Sequence, residues 1–366
     1  MLTTLQKRGT AMGTASTVGH SNRIVYLDLI RILSIFAVVL IHISACDWLT
    51  LPVTSFNWQV LNVYDSLSRW CIPVFIMMSG GLFLHPEKRI TISSLYKKNV
   101  LRMVAALFFW GVVYYLYTAL LTNGFFTPYD ILRGLGAIFT LKARRHLWFL
   151  YAITALYLLT PLMRRLIAGK SPCRLWAVSL TMLAISGFTP YITYFSPFQN
   201  SAVFMQAVGF PGMFLLGYCI SRFNTDFKHV WLLYAGGIFS LVFTIVGSSL
   251  LSVHEGAGNQ LFYQNTSPNV VIMAVAMMVY GKNRFSSLSF GSKWDKRIET
   301  CSGITFAVYL VHDFLIIPFE HGLYGFTPTT YNPVWMVPLL AVAVFTLSFV
   351  PAYLIRKIPF ISRYIA

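Results

Sequence analysis

The sequence predicts an all-α fold: a polytopic membrane helix bundle of about ten transmembrane helices with both termini cytoplasmic. Three observations predict it. Of 366 residues, 57% are hydrophobic and only 11% charged, with a mean hydropathy of +0.66, more apolar surface than a soluble core can hide. Apolar runs of about 20 residues recur, each long enough to cross roughly 30 Å of hydrocarbon as a helix. Lysine and arginine gather in alternate loops, as they do on the cytoplasmic side of a membrane protein. A β-barrel would alternate apolar and polar positions, whereas Ile32 to Ile41 and Leu339 to Val350 are almost continuously apolar.

The segments run, in order, over 25–45, 61–84, 99–121, 147–168, 174–194, 202–221, 230–250, 266–281, 301–319 and 334–355. Helix is forced on each because lipid offers no partner to backbone N–H and C=O groups. Residues 1–24, rich in Thr, Ser and Gly, read as a disordered cytoplasmic tail, residues 25–358 as one membrane domain, and residues 359–366 as a cytoplasmic C-terminal tail. The even-numbered loops and the two tails hold 21 of the 28 basic residues, and the first, fifth, seventh and ninth loops hold none. The net charge of +17 is therefore read as cytoplasmic loops facing membrane lipids, with no nucleic-acid partner. The five cysteines lack metal-site or disulfide spacing. One loop breaks the charge pattern: the third, expected outside, carries Arg133, Lys142, Arg144 and Arg145. It reads either as an interfacial helix touching lipid phosphates or as a cradle for an anionic ligand.

Charged groups within spans are costly unless paired or facing a wet cavity, so each is a functional candidate. In the first segment Arg31 and His42 are eleven residues apart, which places them within about 20° of one helical face and about 16 Å apart along the axis. Asp28 is spaced to pair with Arg31. Arg102 opens the third segment after Lys97 and Lys98, and His312 and Asp313 sit mid-way along the ninth. Neighbouring residues point about 100° apart, so these last two are not expected to pair with each other. Each of these groups also has a plain structural reading, as an anchor or a satisfied core residue. Asp65 and Arg69 are spaced for a structural ion pair. Pro73 and the Ser79-Gly80-Gly81 run predict a kink and close helix contact. His146 and Trp148 open the fourth segment, where an aromatic belt is the default explanation.

These residues form an ordered set. Asp28-x-x-Arg31 followed by His42, the Val74 to Gly81 segment, His146-Leu-Trp148-Phe-Leu-Tyr151, Phe214-Leu-Leu-Gly217-Tyr218, and Thr305 through Tyr309 to His312 together resemble the acyltransferase 3 family of membrane acyltransferases. The compact chain is similar to the branch that includes the enterobacterial common antigen O-acetyltransferase. The resemblance implies a bacterial cytoplasmic (inner) membrane protein that transfers an acetyl group from acetyl-CoA to a hydroxyl of a cell-surface glycan or its lipid-linked precursor, without a metal. It implies Arg31 and His42 as catalytic residues. Arg102 matches the second arginine of the family's paired-arginine motif, while Asn99 occupies the first place, with Lys98 one residue earlier.

Acyl transfer to an alcohol needs a base, charge stabilisation for an oxyanion and a grip on the donor. On this reading His42 is the base, directly or through an acyl-imidazole, Arg102 and Lys98 hold the donor, and Asp28, His312 and Ser79 support the site. Arg144, Arg145, His146 and Trp148 then contact the acceptor. The competing reading is a transporter or exporter whose intramembrane His and Arg line a permeation path, although no repeat or matched helix interruption is visible.

Overall fold

The computed structural model describes residues 25–88, 90–195, 203–286, 288 and 290–365; the expected tail at 1–24 lies outside them. The first half of the chain forms α1 Val25–Ser44, α2 Phe56–Ser68, α3 Cys71–Phe83, a short α4 Ile92–Ser94, α5 Leu101–Asn123, α6 Pro128–Phe139 and α7 Trp148–Ile167. The second half forms α8 Pro172–Tyr194, α9 Val203–Ala207, α10 Gly209–Arg222, α11 Val230–Glu255, α12 Pro268–Phe285, α13 Ser292–Glu320, α14 Pro333–Lys357 and α15 Pro359–Tyr364. The fold is an all-α polytopic membrane bundle. Among the described residues, eight helical segments are long and apolar enough to cross a membrane. The other two expected segments are also helical but fall short of that measure: α10 has 14 residues, and α12 carries Lys282 and Arg284 in its last turn.

The second crossing is broken between α2 and α3, at Arg69 and Trp70. Pro73 explains the position, because it has no N–H to offer the Arg69 carbonyl four residues back. The break leaves Arg69 clamped on Asp65 at 2.5–2.6 Å, with its guanidinium 4.2 Å from the Tyr263 ring. The C-terminal tail is not loose: α15 folds back on α5, and Trp110 Nε1 donates to the Ile365 carbonyl at 2.9 Å.

The two ends of the bundle differ in chemistry. At one end Arg164 donates to the carbonyls of His85 and Lys88, Lys282 to those of Ile220 and Phe223, and Arg356 lies against Gly303. Basic side chains here cap carbonyls left open at helix ends. At the other end Asp47 accepts from Thr329, and Asn259 donates to Glu255. Between these ends α1 and α13 run in the same direction and are the most enclosed, with 61% and 67% of their apolar windows buried against 17–50% for the other six crossings. Polar groups on these two helices are therefore largely kept from lipid.

Close packing depends on glycine at one crossing. A Cβ on Gly80 would lie 1.7 Å from the Phe214 carbonyl oxygen, and one on Gly217 would lie 1.9 Å from the Met77 carbonyl oxygen, so α3 and α10 touch backbone to backbone. Gly81 is less tightly placed: a Cβ there would meet the Ser221 side chain at 3.0 Å, which can turn aside, and the Gly217 carbonyl oxygen at 3.3 Å. Gly80→Ala and Gly217→Ala should each cost about 1–3 kcal/mol or more by overpacking, and Gly81→Ala much less. Thermal melts of the detergent-solubilised variants, read by size-exclusion chromatography, will test this order; equal melting temperatures for all three would contradict it.

Candidate active site

Three histidines from three helical segments converge. His42 lies near the end of α1, His146 in a 3-10 turn just before α7, and His312 within α13. Their ring centroids are separated by 5.3 Å (His42 to His312), 5.3 Å (His146 to His312) and 6.1 Å (His42 to His146). His146 and His312 are 2% and 0% exposed. His42, half-buried, is the least enclosed residue of the three.

Each buried ring is held by a specific partner. His312 Nδ1 lies 2.7 Å from the Tyr309 carbonyl, one turn back on the same helix. A carbonyl can only accept, so Nδ1 carries the proton and Nε2, buried with no hydrogen-bond partner, keeps its lone pair. His146 Nδ1 is 3.2 Å from Asp313 Oδ2, at ion-pair distance but off the hydrogen-bonding axis. The His146 carbonyl accepts from the Tyr309 hydroxyl at 2.5 Å. Tyr114 packs its ring 4.9 Å from His146 and donates to the Leu310 carbonyl.

Asp313, 1% exposed, is answered by Arg144, whose Nε donates to Oδ2. The same guanidinium reaches Glu320 at 2.6 Å, and Arg145 pairs with the other oxygen of Glu320. These contacts explain why a basic loop sits at the otherwise poorly basic end: two acids of α13 hold it there. Arg133 is likewise paired, with Asp130 at 3.4 Å, and the loop's short helix α6 packs on α5 through Gly134 and Ile138.

Toward the basic end, a cavity of about 310 Å³ opens between α1, α3, α5, α7 and α13. Its shallow part is polar, lined by Arg31, Ser79, Asn99, Arg102, Tyr157 and Ser302; its deep part is lined by Val38, Phe75, Phe149 and Tyr309. Arg31 donates to Ser302 Oγ at 3.1 Å, Ser302 donates to Asp28 at 2.6 Å, and Arg31 and Asp28 are 3.5 Å apart. The Arg102 guanidinium sits 4.9 Å from the Phe306 ring. His42 lies one turn past Val38 and His312 one turn past Tyr309, so the histidines stand just beyond the floor that Tyr309 forms. The Tyr309 ring is 5.5 Å from His146 and 6.1 Å from His312.

The structure thus brings together Asp28, Arg31, Ser79 and Arg102 around the cavity, and His42, His146 and His312 around one point beyond it. Arg31 and His42 do not line one chamber; Tyr309, Phe149 and Val38 stand between them. Lys98 does not join Arg102. The backbone from Leu95 to Val100 is π-helical, which rotates side chains relative to an α-helix. Lys98 is exposed, and Asn99 faces the cavity in its place. Trp148 turns away from the histidines, 37% exposed and 6.0 Å from the Phe210 ring. Arg144 and Arg145 are engaged by acids of α13, and His146, expected at an acceptor surface, is instead at the heart of the cluster. The sequence reading missed Glu320 and the pairing of Asp313. Their spacing of seven residues was the available signal, since it puts both acids within about 20° of one helical face. Among the described residues, no group of three or more His, Cys, Asp and Glu could hold a metal ion.

Residues 24–355 match the family model described as acyltransferase domain, that of the acyltransferase 3 family. The chain belongs to this family. Curated proteins and solved structures give no match. As a family member the chain is a membrane acyltransferase, with a donor and an acceptor to accommodate.

Arg144 is the residue whose loss the site should tolerate least. Arg144→Ala leaves Asp313 buried without its guanidinium, a change that costs about 3–5 kcal/mol for a buried pair. Glu320→Gln keeps the Arg144 to Asp313 contact and should cost far less. Melting temperatures of the two variants in detergent should therefore fall in that order, and a Glu320→Gln loss as large as that of Arg144→Ala would refute the primacy of the Asp313 contact.

Proposed function

We propose that this acyltransferase moves an acetyl group from acetyl-CoA to a hydroxyl of a cell-surface glycan or its lipid-linked precursor, in a bacterial cytoplasmic membrane. The observation that carries the reading is the convergence of three imidazoles just beyond a cavity whose mouth holds two guanidinium groups. The basic end, where the cavity opens, is assigned to the cytoplasm, where the thioester is available. The acceptor approaches His42 from the other side.

His42 acts as general base. It removes the proton from the acceptor hydroxyl as the oxygen attacks the thioester carbonyl, forming a tetrahedral oxyanion. The C–S bond then breaks, the sulfur takes the proton back from the imidazolium, and the products are the ester and the free thiol. His146, held against Asp313, presents a ring N–H to the oxyanion. His312, its tautomer set by the Tyr309 carbonyl, keeps an unprotonated Nε2 beside the other two rings. Arg31 and Arg102 hold the donor in the cavity, and Ser79 and Asp28 fix their surroundings.

The experiment is acetyl transfer by the full chain in liposomes, followed as ester formed on the glycan and thiol released. Replacing the base should lower turnover about 10²- to 10⁴-fold, so His42→Ala should abolish detectable ester while the protein still expresses and elutes as a folded species. Asp313→Asn, which removes the carboxylate from His146 but not the shape, should reduce turnover with little change in KM. Full acetylation of surface glycan by a normally expressed His42→Ala variant would end the assignment, and transport of the glycan without any ester would favour the permeation reading.

A further inference from the structure

A second cavity, of about 460 Å³, lies at the basic end between α13 and α14. Lys296, Glu299, Gly303, Tyr353, Arg356 and Lys357 are among its walls. It carries three cations against one carboxylate, and an aromatic ring, Tyr353, lies under the Lys357 ammonium at 4.7 Å. Gly303 lines both this cavity and the one that holds Arg31 and Arg102, so the two adjoin across a residue with no side chain. The Arg356 guanidinium rests there: a Cβ on Gly303 would stand 2.9 Å from its Nη1.

From Lys296 to Tyr309 the two cavities together follow α13 for about 20 Å. Along that length the lining changes from cationic, through the mixed zone of Arg31, Arg102 and Ser302, to aromatic and apolar at Phe149 and Tyr309. Such a path suits a long ligand with a polyanionic head and a slender arm that ends in the reacting group. Arginine and lysine at the head match phosphate oxygens, and an exposed tyrosine offers a face on which a base can stack.

We infer that the α13–α14 groove holds the phosphorylated nucleotide end of the acyl donor, with Lys296, Arg356 and Lys357 on its phosphates, while the pantetheine arm threads past Gly303 toward Tyr309. The inference rests on the thioester-donor reading above and adds the residues that would recognise a nucleoside diphosphate. The groove does no chemistry; it supplies binding energy alike to the ground state and the transition state, which appears in KM and not in kcat.

Two donors separate this from its alternatives: acetyl-CoA, and S-acetyl-pantetheine, which has the thioester and arm but no nucleotide. Initial rates are measured for the full chain in liposomes of neutral lipid, and again with an added anionic phospholipid. The Lys296→Ala/Lys357→Ala double variant changes surface side chains; Arg356→Lys keeps the charge and the packing on Gly303 while losing the planar fork. For the double variant, KM for acetyl-CoA should rise about tenfold or more, with kcat within about twofold of wild type and KM for S-acetyl-pantetheine unchanged. Arg356→Lys should show a smaller shift in the same direction. An unchanged KM for acetyl-CoA, or equal shifts for both donors, would overturn the inference. A loss that follows the anionic lipid content alike for both donors would identify the groove as a phospholipid headgroup site, which also overturns it. If the wild-type chain used neither thioester, the donor reading itself would fall, and the inference with it.

Discussion

Asp313 sets the terms for everything around it. A carboxylate in the middle of an apolar helix loses its hydration when the helix enters a membrane, and the loss is offset only by cations brought close to it. Arg144 and His146 both come from the segment that connects α6 to α7, and both meet Asp313. One buried acid thereby ties the start of α7 to α13 and positions an imidazole against α1. The same tie accounts for the basic loop at the end of the bundle where basic residues are otherwise sparse, because Glu320 two turns further out takes the remaining donors.

The arrangement divides the interior in two. On the basic side is a chamber whose guanidinium groups are restrained rather than free to seek the lipid boundary: Arg31 by Asp28 and Ser302, Arg102 by the face of Phe306. On the other side three imidazoles share a small volume. Tyr309 stands at the boundary, with its hydroxyl spent on the His146 carbonyl and its own carbonyl spent on His312. Both polar ends of Tyr309 are thus committed to holding histidines, and its ring is left to face the chamber. A side chain with these duties couples the shape of the chamber floor to the orientation of the rings behind it.

Helix contacts far from the histidines fix this geometry as well. α3 contributes Ser79 and Phe75 to the chamber, and its rotation is set by backbone contact with α10, which only Gly80 and Gly217 permit. The break before α3 comes from Pro73, and the π-helical turn before α5 decides that Asn99 rather than Lys98 faces the chamber. In each case a local backbone feature selects which side chain reaches the interior. Lipid cannot do this selecting, since apolar helices gain nothing from one rotation over another unless small residues or polar groups distinguish them.

Much of this was legible in the sequence, for physical reasons. Apolar runs of bilayer length and the alternation of basic loops determine an all-α polytopic bundle, because a hydrocarbon solvent admits no other way of satisfying the backbone. The spacing of Asp28 to Arg31 and of Asp65 to Arg69 determined two ion pairs, because both partners of each lie on one helix. What joins different helices was not determined in this way. That His42, His146 and His312 meet, that Asp313 belongs to His146 and Arg144 rather than to its neighbour His312, and that Lys98 stays outside all depend on how helices rotate and dock against one another. Only the tertiary structure decided these, because helical periodicity fixes directions within a helix and says nothing about which face of the next helix will lie opposite.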